Sequence, residues 1–154
     1  MNEGMSGSRE CRSFDLIWEH RVHRGDTEVT KVGLNELTEV IIGAAIEVHR
    51  ELGPGLLESA YQRAMSHEMR LRRLVFDEQK LCPLSYKDLV IDDAYRIDFL
   101  VAASVVVELK TVDALLDVHE AQVLSYLRFT GCRIGLLMNF RSTTLTRGLK
   151  RLAL

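Results

Sequence analysis

The chain is short of the features that mark secreted, membrane-spanning or metal-stapled proteins. Its three cysteines, Cys11, Cys82 and Cys132, are odd in number, widely spaced and without a CxxC pair. Neither a disulfide framework nor a zinc site is indicated, and a reducing cytoplasm is the expected setting. No run approaches the roughly 18 apolar residues needed to cross a bilayer, and the N-terminus lacks the long apolar stretch of a signal peptide. No membrane partner is therefore expected. An excess of one charge is missing too: 20 Lys and Arg against 22 Asp and Glu leave a formal charge of −2 and a pI near 6.2. That excludes a strongly basic nucleic-acid coat protein and leaves only local patches to meet phosphates.

What is present is an ordinary globular composition, 47% hydrophobic and 27% charged over 154 residues. This length suits one domain that buries roughly two-thirds of the surface its unfolded chain exposes. Residues 34–154 read as that domain. Residues 1–33 read as a loosely ordered N-terminal extension, mixing Gly, Ser, Arg, Glu and His around Phe14, Leu16, Ile17 and Trp18 without a sustained period. His20 and His23, three apart but with no third ligand, are read there as solvated side chains.

From Asn35, a plausible N-cap, an apolar stripe of Leu37, Val40, Ile41, Ala44, Ala45 and Val48 predicts a helix to Leu52. Gly53, Pro54 and Gly55 stop it. His49, near its C-terminal end, is read as structural, a cation favoured by the helix dipole. A second helix is predicted over residues 56–74, with Glu58 in its first turn and Tyr61 on the same side. Residues 75–86 read as a strand with Pro83 at an edge or bulge, 89–91 as a short strand, and Asp92-Asp93 as a turn. Residues 115–130 predict a helix ended by Gly131, with His119, Gln122 and Tyr126 on one face and Leu124 and Leu127 on the core face. Residues 133–140, RIGLLMNF, are a buried strand reached by a parallel crossover. The tail adds a modest basic patch of Arg141, Arg147, Lys150 and Arg151.

The centre of this arrangement is YRIDFLVAASVVVELK, residues 95–110. Residues 95–101 and 105–110 read as two strands of a hairpin turning near Ala103. Residues whose numbers sum to about 206 then face each other, placing Asp98 opposite Glu108 with Cβ atoms roughly 4.5–5.5 Å apart. Alternation puts Glu108, Lys110 and Asp98 on one face and Ile97, Phe99, Val107 and Leu109 on the other. Two carboxylates that close repel, and keeping both ionised on a half-buried sheet costs several kcal/mol by order of magnitude unless a cation lies between them. Hard oxygen ligands suit Mg²⁺ or Mn²⁺, and Lys110 could position or deprotonate a water. The bland alternative is a salt-bridge cluster of Asp98, Glu108, Lys110 and Arg96. If the second helix faces the hairpin, Glu58 becomes a third carboxylate for the metal. Arg63, Arg70, Arg72 and Arg73 either solubilise that helix or follow a phosphate backbone. Gln122 and Tyr126 can hold a phosphate or orient the lysine by hydrogen bonds.

Gly55-x-x-Glu58-x-x-Tyr61, Ile97-Asp98 followed by Glu108-Leu109-Lys110, and Gln122-x-x-x-Tyr126, in this order, resemble the GxxExxY protein family within the PD-(D/E)XK nuclease superfamily. The resemblance covers residues 34 to about 152. It implies an α/β (α+β), restriction-endonuclease-like core, a mixed sheet flanked by helices, and the residues read independently as α-α-β-β-β-α-β agree with it. Carried over by position, Asp98 and Glu108 match the metal-binding acids, Lys110 the catalytic lysine, Glu58 the acid of the first core helix, and Gln122 and Tyr126 the trailing helix motif. Ile97 stands where the motif has proline, which leaves the ligands intact.

The leading expectation is Mg²⁺- or Mn²⁺-dependent hydrolysis of phosphodiester bonds in nucleic acid, DNA above RNA. Glu58, Asp98, Glu108, Lys110, Gln122 and Tyr126 would be catalytic, and the metal would be held by Asp98, Glu108 and Glu58. Tyr61, Arg63, His119 and Lys150 are the candidates for contact with the nucleic acid, and a second copy or a protein partner is left open. The alternative is a catalytically silent module on the same fold that binds nucleic acid or protein.

Overall fold

In the computed structural model the described residues are 33–154, and the readings made for residues 1–32, His20 and His23 among them, lie outside these. The first apolar stripe forms α1, Leu34–Leu52, and buries Ile41, Ala44, Ala45 and Val48. It is capped at Gly33 and not at the expected Asn35. The Gly33 N–H donates to Glu36 at 3.2 Å, while Asn35 Oδ1 is taken by Arg151 at 2.9 Å. Gly53, at φ +67°, ends the helix as expected, donating its N–H to the His49 carbonyl at 2.8 Å. His49 is buried and bonds the Ser142 carbonyl through Nε2 at 2.8 Å, a structural role. Helix α2 spans Glu58–Leu71, two residues later at its start than the periodicity suggested, so Glu58 is its first residue.

Five strands follow, β1 Phe76–Tyr86, β2 Leu89–Val101, β3 Val105–Lys110, β4 Ile134–Asn139 and β5 Leu149–Ala153, with α3, Asp117–Thr130, between β3 and β4. Their order in the sheet repeats their order in the chain. All neighbours are antiparallel except β3 and β4, which the α3 crossover makes parallel. The result is the mixed, α+β, restriction-endonuclease-like architecture expected.

Three local readings are corrected. Leu89–Val101 is one strand: Asp92 and Asp93 do not turn the chain back but fall in an irregular stretch where the β1–β2 register shifts, with Asp93 at φ +52°. The basic tail carries a fifth strand, β5, whose residues Leu149 and Leu152 are only partly buried and give a weak alternation signal. Ile97 does not share a face with Phe99, because it packs with Leu100 and Val106 on the opposite side of the sheet.

Each face of the sheet has its own core. Helices α1 and α2 cover one with Ile41, Val48, Tyr61 and Met65 against Phe99, Val107, Leu109 and Leu136. Helix α3 covers the other, setting Val123, Tyr126 and Leu127 on Leu100, Val106 and Leu137. Each such side chain contributes about 1.5–3 kcal/mol on burial. Every residue of β4 is buried. At Gly135 the α3 layer comes so close that an added Cβ would overlap the Val123 side chain.

Candidate active site

The hairpin register is the one that puts the two acids together. Phe99 pairs with Val107, Leu100 with Val106 and Val101 with Val105, each pair summing to 206. The ladder stops one step short of Asp98 and Glu108. There the Asp98 carboxylate replaces the missing backbone partner, its Oδ2 accepting from the Leu109 N–H at 2.9 Å. Its Oδ1 accepts from the Gln79 side-chain amide of β1 at 2.8 Å.

Glu108 alternates with Val107 and Leu109 and so faces the α3 side, where its side chain is 5% exposed. Lys110, on the same side of the strand, donates to Glu108 Oε1 at 2.8 Å. Among the described residues the other oxygen, Oε2, is buried with no hydrogen-bond partner. Burial first, and then the neighbouring Asp98, push the Glu108 carboxyl up to about 7 against the opposing pull of Lys110. Burial alone would lower the Lys110 ammonium, yet its bond to Glu108 and the charges of Glu58 and Asp98 hold it above its ordinary value.

Glu58 reaches the same place from the first turn of α2. Burial raises its carboxyl and Asp98 adds to the rise, while Lys110 and the Thr111 backbone amide work the other way. Gln122 and Tyr126, one turn apart on α3, are joined by a 2.6 Å hydrogen bond. The Tyr126 hydroxyl is held up by burial and by the nearby Glu108 charge. The end of β3 therefore gathers Asp98, Glu108, Lys110, Glu58 and, from the other layer, the Gln122–Tyr126 pair. The strand exit is fixed behind them by buried Asn139, whose side chain bonds the Val112 N–H at 3.1 Å and the Val112 carbonyl at 2.7 Å.

The remaining candidates lie elsewhere in role. Tyr61 is wholly buried, stacked on Phe140, with its hydroxyl donating to the Gly53 carbonyl at 2.5 Å and accepting from Leu56 N–H at 3.1 Å. It pins the turn that launches α2 and has no surface to offer a nucleic acid. His119 accepts the Leu116 N–H through Nδ1 at 3.0 Å, closing the N-terminus of α3. Arg63 is exposed, and exposed Lys150 pairs with Glu120.

A profile of the PD-(D/E)XK nuclease superfamily matches residues 35–152. The chain belongs to that superfamily. No curated protein and no solved structure matches it. A nuclease-type activity, with nucleic acid as its partner, is what the superfamily brings to this group of residues.

Among the described residues no three Asp, Glu, His or Cys side chains form a metal-binding group; Asp98 is bonded to Leu109 and Gln79, and Glu108 to Lys110. The donor set nevertheless fits a divalent cation. A buried carboxylate oxygen without a partner beside a second carboxylate is what a hard cation satisfies. Sequence reasoning missed Gln79 and Asn139. The signal for Gln79 was a polar side chain in a strand directly across from an acid; Asn139 had none beyond being polar in an otherwise apolar run.

Proposed function

We propose that the chain is a metal-dependent nuclease that hydrolyses phosphodiester bonds in DNA, with Asp98 and Glu108 holding Mg²⁺ or Mn²⁺. The observation that carries this reading is the buried, unpartnered Oε2 of Glu108 next to Asp98. A buried carboxylate oxygen left without a donor costs about 1–3 kcal/mol, a cost that a bound cation would offset. When bound, such an ion neutralises charge on the phosphate and lowers the pKa of an attacking water. Lys110, already fixed by Glu108, orients that water and offers positive charge to the phosphate. Glu58 approaches from the opposite layer and completes the acidic end of the site. The Gln122 amide and Tyr126 hydroxyl, locked to each other, are set to hold the scissile phosphate in register. The motif set Glu58–Tyr61, Asp98, Glu108–Lys110 and Gln122–Tyr126 supports a finer placement among the GxxExxY proteins.

Calorimetric titration of Mn²⁺ and Mg²⁺ into wild type and the Asp98→Ala/Glu108→Ala double variant, followed by incubation with labelled DNA, tests the reading. Binding and cutting are expected in the wild type and both are expected to vanish in the double variant. A double variant that still cuts, or a wild type that binds no metal even with DNA present, overturns it.

A further inference from the structure

Mid-strand in β1, Gln79 has φ +50°. A left-handed residue inside a strand is costly for any side chain other than glycine, on the order of 1–2 kcal/mol, and glutamine has no special liking for it. The pairs on either side, Glu78 with Phe99 and Lys80 with Ile97, are in register, and the pair between them, Gln79 with Asp98, is missing from the ladder. In its place the Gln79 amide donates to Asp98 Oδ1 at 2.8 Å. The same point is where Ile97 and Phe99 come to face opposite cores. The two strands thus give up one backbone pairing, and a strained residue replaces it with a side-chain bond to the acid.

We propose that Gln79 is a positioning residue for Asp98, an inference that rests on reading Asp98 as a metal ligand. The chemistry of the donor fits the task. With Leu109 N–H on Oδ2 and the Gln79 amide on Oδ1, both Asp98 oxygens are held by neutral donors. The carboxylate is oriented while its full charge stays available to a cation. An arginine or lysine at residue 79 would compete with the cation, and a glutamate would repel Asp98. Partners that orient ligating carboxylates in this way typically account for about 10–100-fold in metal affinity.

The test is Mn²⁺ titration calorimetry and thermal melting of the full chain as wild type, Gln79→Gly, Gln79→Asn and Asp98→Asn. Glycine relieves the positive φ and removes the amide, so Gln79→Gly is expected to melt at or above the wild-type temperature yet bind Mn²⁺ about 10–100-fold more weakly. Asparagine tolerates the backbone and keeps a donor, and Gln79→Asn is expected to recover part of the loss. If Gln79→Gly binds as wild type while Asp98→Asn does not, the metal site stands and the role of Gln79 is overturned. Gln79→Asn binding no better than Gln79→Gly would trace the effect to the backbone and overturn it as well. A wild type that binds no Mn²⁺ removes the metal reading itself, and this inference with it.

Discussion

Lys110 and Glu108, two residues apart on one strand, meet at 2.8 Å through Nζ and Oε1, and the second carboxylate oxygen has no partner among the described residues. The ion pair is thus one-sided, and the lysine only partly offsets the cost of burying the acid. Glu108 is pushed up to about 7 in spite of it.

The first prediction follows from that shift. Between about pH 4.5 and 7 the folded chain keeps a proton on Glu108 that the unfolded chain has lost, so folded binds more protons and stability falls as pH rises through this window. The contribution amounts to about 3 kcal/mol in full. Urea denaturation in chelator at pH 5 and pH 8 should show Glu108→Gln equal to wild type at the lower pH and more stable at the higher. A wild-type profile no steeper than that of Glu108→Gln would refute the buried, unsatisfied state of the acid.

Removing the lysine should have the opposite sign. Lys110→Met strips Glu108 of the Lys110 donor, and at pH 8 the variant should be about 1–3 kcal/mol less stable than wild type. At pH 5, where Glu108 carries a proton, the penalty should shrink. Denaturation midpoints at the two pH values read the difference.

Asn139 is the third site. Its side chain bonds Val112 through both backbone groups and accepts the Arg141 N–H at 3.2 Å. Asn139→Ala should cost about 2–3 kcal/mol and free the chain just past Lys110. Amide hydrogen exchange at Val112 and Arg141 should accelerate beyond the change in global stability; unchanged protection there would rule out the clamp.

Gly135→Ala tests the packing that carries Gln122 and Tyr126. The new methyl group overlaps Val123, so α3 must lift from the sheet, at about 1–3 kcal/mol. Tyr126 fluorescence and the stacking of Tyr95 on Tyr126, with ring centroids 5.0 Å apart, should both report the displacement.

Much of this was legible in the chain itself. The Asp98–Glu108 juxtaposition needed only a turn position and a period of two, and the parallel crossover needed only a helix between two strands. What escaped has a common physical cause. Gln79, the Asp92-Asp93 bulge and the reversed face of Ile97 are all places where β1 and β2 depart from regular alternation, and a period-based reading assumes none. Tyr61 belonged to a motif and was taken for a contact residue, yet its hydroxyl serves a turn five to eight residues upstream. β5 was hidden because an edge strand with half-exposed leucines between basic residues looks like a solvated tail.

Because spatial and sequential strand order coincide, Gln79, Asp98, Glu108 and Lys110 all come from three consecutive strands. A ribosome releases this charged group as one continuous stretch before it has made α3 or β4. Leu137, alongside Glu108 on the parallel strand, arrives afterwards. The acids, the amide and the lysine are therefore all present in the chain before α3 and β4, the elements that complete the surroundings of Glu108, have been made.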